Sequence, residues 1–148
     1  MLFPVAGATF FIADLPTEDP SGMPDVPDAS WVEINETEAL GSLGGRYDLE
    51  EVHGMSDGPG EGYTALKGAH RPDTMQVVLG LDPTDPGQLL LFKAYRSRDA
   101  FPFRLLFSDR ITERRWFAMV LGLGEVFDAA NNVMRLQVEL HPATIPQR

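Results

Sequence analysis

The stretch Leu-Gly-Leu-Asp-Pro-Thr-Asp-Pro-Gly-Gln-Leu-Leu-Leu-Phe-Lys-Ala-Tyr-Arg, residues 79 to 96, decides how the rest of the chain is read, because it carries the one convincing helix signal in a strand-like sequence. Asp85 stands where an N-cap is expected, Pro86 takes the first helical position, where its missing N–H costs nothing, and Gln88 follows three residues after the cap. A cap of this kind contributes about 1 kcal/mol. Leu89 and Phe92, with Lys93 or Ala94, recur at helical spacing, and Leu91 and Tyr95 lie near the same face. Arg96 and Arg98 put positive charge at the negative end of the helix dipole. A helix of about ten residues is not stable alone. It needs a sheet to lie on, and strand patterns occur on both sides of it.

The chain has 148 residues and no cysteine, which predicts one domain over residues 1–148, large enough to bury a core without disulfides and compatible with a reducing compartment. The apolar run Met1 to Ala13 has no Lys or Arg before it and is too short to span a bilayer, so it reads as a strand or arm, and no membrane partner is expected. The formal charge of -10 is unevenly spread. Residues 1–61 hold thirteen acids and a single base, Arg46, whereas residues 62–148 hold nine acids and eleven bases, so the two parts carry -12 and +2. Such a surface repels nucleic acid, which needs clustered Lys and Arg for binding. It describes either a solvated acidic face or an electrostatically polarised protomer.

Phe3 to Ala13 has strand-forming residues around Gly7, and residues 14–29, with four prolines and five acids, read as an exposed loop too long for an ordinary connector. Ser30 to Glu38 alternates as one half-buried strand, with Val32 and Ile34 inward and Trp31, Glu33 and Asn35 outward. Arg46 to His53 alternates again, with Tyr47 and Leu49 opposite Asp48 and Glu50. Residues 54–62 form a projecting glycine-rich loop. Tyr63 to Ala69 and Thr74 to Leu81 read as a strand pair turned at His70 to Asp73, and Phe101 to Ser108 as a further strand. Arg115 to Leu123 is apolar on both faces, which implies cover on both sides, the second supplied by another subunit. Val133 to Leu140 turns Met134, Leu136, Val138 and Leu140 inward. The sum is seven or eight strands and one helix: a mainly β, antiparallel β-sandwich or partly open barrel with the helix packed on its side.

Catalytic and metal-binding patterns are not found. His53, His70 and His141 lack metal-ligand spacing, and each reads as a strand-end or turn residue. Ser56 and Asp57 have no nucleophile elbow around them. Residues 41–45 lack the Gly-Lys-Ser/Thr ending of a phosphate loop. The acids Asp14, Glu18, Asp19, Asp25 and Asp28 lack the spacing of a calcium loop, and Glu50 and Glu51 lie on opposite faces of a strand. No enzyme activity, cofactor or metal is expected.

The order of these features resembles the tail tube protein of long-tailed, non-contractile (siphovirus-type) bacteriophages. The resemblance runs from about Trp31 to Ala143 and rests on the acidic alternating strands, the glycine-rich projecting loop, the return strand ending Leu66-Lys67-Gly68, the Leu-Gly-Leu-Asp-Pro strand end feeding the Asp-Pro-Gly-Gln helix, and Phe101 to Ser108 after it. The long Pro- and Asp-rich segment before Trp31 departs from the family's compact entry. The resemblance implies a structural virion protein, assembled in the bacterial host cytoplasm, whose hexameric rings stack head to tail into a hollow tube. It implies as partners the tape-measure protein in the bore, double-stranded DNA in transient passage, and terminator and distal tail proteins at the ends. Glu33, Asp48 and Glu50 are then the lumen-facing candidates, because inward Lys or Arg would hold a sliding duplex. Met55, Ser56, Asp57, Glu61 and Tyr63 are the inter-ring candidates, and Asp85 and Gln88 cap the helix. Two other readings stay open: another ring-forming tail part such as a terminator or completion protein, and a soluble cation- or ligand-binding sandwich module.

Overall fold

The computed structural model describes residues 2–53 and 63–143. Nine strands, one α-helix and one 3-10 turn follow in the order β1 (Thr9–Ala13), the 3-10 turn (Asp28–Ser30), β2 (Trp31–Ile34), β3 (Thr37–Ala39), β4 (Gly45–His53), β5 (Tyr63–Pro72), β6 (Met75–Gly80), α1 (Pro86–Arg96), β7 (Phe101–Leu106), β8 (Glu113–Val126) and β9 (Arg135–Pro142). Seven strands form one antiparallel sheet in the order β2-β1-β7-β8-β9-β6-β3, and β4 pairs only with β5. The fold is therefore mainly β with a single packed helix, as the pattern predicted.

Alternation decides the inner face. Phe10 and Ile12 of β1, Ile34 of β2, Phe101 and Phe103 of β7, Trp116, Ala118 and Val120 of β8, Leu136, Val138 and Leu140 of β9, and Met75, Val77 and Leu79 of β6 form one buried cluster. Phe10, Phe103 and Trp116 stack on one another, with ring centroids 5.6 to 6.1 Å apart. Leu91 and Ala94 of α1 enter the same cluster. The helical face differs from the expected one: Leu89 is 53% exposed and Tyr95 45%, while Gly87, Gln88, Leu91 and Ala94 are buried. The Leu-Leu-Leu run let periodicity settle on either of two neighbouring stripes, and the close approach at Gly87 selects the one that contains it.

Three strand assignments change. Ser30 to Glu38 is not one strand but two, β2 and β3, separated by Asn35 and Glu36 and lying on opposite edges of the sheet. Glu36 sits at φ 63°, a left-handed corner that ends the alternation. Residues 63–81 do not form a hairpin: β5 returns along β4, while β6 pairs with β9 and β3. Only Asp73 and Thr74 separate β5 from β6. The two apolar faces of β8 have an internal cause only from Val120 onward; Phe117 and Met119 precede it and lie half-buried on the face opposite Trp116 and Ala118. Val120 pairs with Leu140 and Gly122 with Glu139, so Leu121 is an extra residue that reverses the alternation, and Leu123 joins the core side beyond it. Met134 falls outside β9 and is exposed.

The segment from 14 to 29 is more ordered than an exposed loop. Thr17 bridges to Ala100, and Val26 is buried with Ala13 and Trp31 in a second small cluster on the far side of the sheet. Trp31, expected outside, is thus covered by its own chain.

Candidate assembly surface

The two edges of the seven-stranded sheet are consecutive in sequence. β2 and β3 are joined by two residues, so the sheet must curl until its edges approach, giving an open barrel with a seam. The N-terminus of α1 closes that seam. The Asp85 carboxylate accepts hydrogen bonds from the Gln88 backbone N–H at 3.2 Å, the Asn35 backbone N–H at 3.1 Å and the Asn35 side-chain amide at 2.7 Å. Gln88, fully buried, donates from Nε2 to the Gly80 carbonyl at 2.8 Å and the Asn35 carbonyl at 3.3 Å, and its Oε1 accepts from the Asp82 N–H at 2.9 Å. The Gly80 N–H donates to the Glu36 carbonyl at 2.7 Å. The two predicted cap residues therefore do more than start a helix: they tie β6, the link and the helix together.

The β4–β5 ribbon stands apart from this body, joined to no strand of the main sheet. Tyr47 pairs with His70 and Leu49 with Lys67, so Gly68 and Ala69 together oppose Asp48 as a β-bulge in β5. One face carries Tyr47, Leu49, Lys67 and His70, with the Lys67 ammonium 4.9 Å from the Tyr47 ring and His70 edge-on to it at 4.8 Å. The other carries Arg46, Asp48, Glu50, Leu66 and Arg71. Tyr47 is 52% exposed, Leu49 69% and Leu66 50%. An apolar side chain on each face of a two-stranded ribbon has no core to enter within the chain.

The predicted lumen residues divide between two sheets. Asp48 and Glu50 lie on the ribbon, whereas Glu33 is on edge strand β2 of the body. Asp48 is ion-paired with Arg71 at 2.8 Å, and Arg46 pairs with Asp73 at 3.0 Å, so the ribbon is mixed in charge rather than uniformly acidic. Met55, Ser56, Asp57 and Glu61 lie outside the described residues; Tyr63 opens β5 opposite His53. Among the described residues no group of three or more His, Asp or Glu could hold a metal ion, and no helix is long and apolar enough to cross a membrane.

One cluster was not foreseen. Arg104 of β7 and Arg115 of β8 are directly opposite in register, and Glu113 bridges them, accepting from Arg104 Nε at 2.5 Å and Arg115 at 2.7 Å. Burial alone would raise the Glu113 carboxyl, but the hydrogen bonds and positive charge of the two arginines outweigh it and hold it below its usual range. Arg104 also lies over the Phe11 ring at 5.1 Å, and Arg114 over Phe107 at 5.2 Å. The signal was present: Glu113 and Arg115, two apart on a strand, share a face.

No protein-family profile and no curated protein matches the sequence. In three dimensions the chain is similar to the sheath/tube terminator of an extracellular contractile injection system (PVC), with 16% identity, TM-score 0.68, and coverage of 100% of this chain and 98% of that one. It is similar to the tube terminating cap of the anti-feeding prophage (14%, TM-score 0.65, 99% and 90%) and to the SPP1 tail tube (13%, TM-score 0.59, 97% and 77%). These neighbours are described as a tube, a tube terminator and a tube cap. They come from both contractile injection systems and a phage tail tube, so the fold by itself does not select the non-contractile type.

Proposed function

We propose that this chain is the tube subunit of a bacteriophage tail of the non-contractile type. Six copies close into a ring, and the rings stack head to tail into a hollow shaft through which double-stranded DNA leaves the virion. The observation that carries this reading is the detached β4–β5 ribbon, whose strands of nine and ten residues expose apolar side chains on both faces. A two-stranded ribbon is at best marginally stable by itself. Ribbons from successive subunits, paired edge to edge, would form a closed inner barrel that removes every free edge and turns Tyr47 and Leu49 toward the body, with Leu66 on the same side as Asp48 and Glu50. Asp48, Glu50 and Glu33 are proposed to face the bore, with Arg71 and Arg46 neutralised by their partners so that the wall does not grip phosphate. The tape-measure protein fills the bore before DNA passes, and terminator and distal tail proteins close the ends. Met55, Ser56, Asp57, Glu61 and Tyr63 are proposed to reach the next ring. Assembly takes place in the host cytoplasm.

Negative-stain electron microscopy of concentrated protein, with size-exclusion chromatography, tests the reading. Six-fold annular end views and extended filaments are the expected result; a monomer at every concentration would remove it. The similarity to a tube terminator favours one second reading, a component that caps the shaft. That protein would stop at a single ring.

A further inference from the structure

The four strands β2, β1, β7 and β8 are charged oppositely at their two ends. At the end where Thr9 pairs with Leu106 and Leu106 with Glu113 lie Arg104, Arg110, Arg114 and Arg115 against Asp109 and Glu113, with Glu33 of β2, in the same cross-strand row as Arg104, and Glu36 of the seam link two strands away. Arg110 donates to Thr9 Oγ1 at 2.6 Å and Arg114 to the Glu113 carbonyl at 2.9 Å; among the described residues Arg110 has no acidic partner and the buried Arg115 Nε no hydrogen-bond acceptor. At the other end, where Ala13 pairs with Trp31 and Thr17 bridges to Ala100, lie Asp14, Glu18, Asp19, Asp25 and Asp28. Lys93 pairs with Asp14 there, and Arg96 and Arg98 are near by. Among the described residues, Glu18, Asp19, Asp25 and Asp28 enter no ion pair. The intervening strand, β1, is only five residues long, about 14 Å. The burial of Val26 against Ala13 and Trp31 fixes the acidic segment at its end rather than leaving it to wander.

We infer that the arginine end of β7 and β8 is a docking surface for the acidic segment Glu18 to Asp28 of a second copy of this chain, so that successive rings attract through opposite poles of the same four strands. This rests on the tube-subunit reading. A contact between two different ends of one protomer is heterologous and repeats without closing. Each pair is solvent-screened and individually weak, but a ring repeats it six times. Nucleic acid is a poorer occupant: Glu113 stands among the arginines, and the chain's charge of -10 repels a polyanion.

The test compares assembly by the unaltered chain, an R110E/R114E variant, a D25K/D28K variant and the variant carrying all four changes, at low and high salt. Each double variant should shorten the filaments roughly tenfold or more while leaving rings intact, the fourfold variant should restore length by exchanging the poles, and high salt should shorten unaltered filaments. Filaments of full length from either double variant, or no recovery in the fourfold variant, would overturn the inference. So would duplex DNA retained by the unaltered protein and lost in R110E/R114E with filament length unchanged. If the charge reversal unfolds the protein by circular dichroism, R110A/R114A and D25N/D28N carry the loss of length, and combining them should then shorten the filaments no further than either alone. Absence of rings from the unaltered chain would sink the tube reading itself; full-length filaments insensitive to these changes sink only this inference.

Discussion

Glu113 shows how one carboxylate decides whether two arginines can face each other across a strand pair. Like charges directly opposite are destabilising, and the bridge converts that repulsion into two charge-assisted hydrogen bonds. Because its pKa is lowered on folding, its contribution is fully present above the ordinary glutamate value of 4.5 and is lost as pH falls through the folded value. Thermal unfolding of E113Q should show a loss of about 1 to 2 kcal/mol at neutral pH after allowance for solvent screening, and a flatter acid limb than the unaltered protein. Gly87 is constrained differently. A Cβ there would meet the Glu33 carbonyl and come within 2.7 Å of the Ile34 Cα, both backbone atoms that cannot swing aside. G87A should cost about 1 to 3 kcal/mol by lifting the helix off β2, measured by denaturant unfolding. The cap was legible because Asp85, Pro86 and Gln88 act within one turn; their bonds to Asn35, Gly80 and Asp82 were not, because nothing local to residues 85–88 records that residue 35 will be a neighbour.

Where alternation is unbroken the core face was legible, and β6 and β9 are the clearest cases apart from Met134, with Met75, Val77 and Leu79 facing Leu140, Val138 and Leu136 in register. The errors fall where a bulge or corner reverses the alternation: the bulge at Leu121 moves the core side of β8 from Val120 to Leu123, and the left-handed Glu36 ends an alternation that runs across two strands. Pairing was misread where chain order misleads, since β5 and β6 are contiguous yet belong to different sheets. The ribbon offers a decisive test of that division. Gly45 and Pro72 are paired, and among the described residues none from 45 to 72 belongs to either core cluster, so excising residues 46–71 and closing with a short glycine turn should leave the body folded. Circular dichroism should retain a cooperative transition, while electron microscopy should find neither rings nor filaments.

For the whole molecule, the class of fold followed from alternation and one helix signal, while the division into body and ribbon needed coordinates. Charge asymmetry along the sequence translated only in part, because the acidic half contributes strands to both units and the ribbon balances its acids with Arg46, Lys67 and Arg71. The seam has a mechanical side. Two residues, and so three peptide units, between Ile34 and Thr37 let the margins of the sheet part by no more than about 11 Å. That tether limits how far the open side of the sheet can spread, which keeps the aromatic stack of Phe10, Phe103 and Trp116 behind one continuous wall.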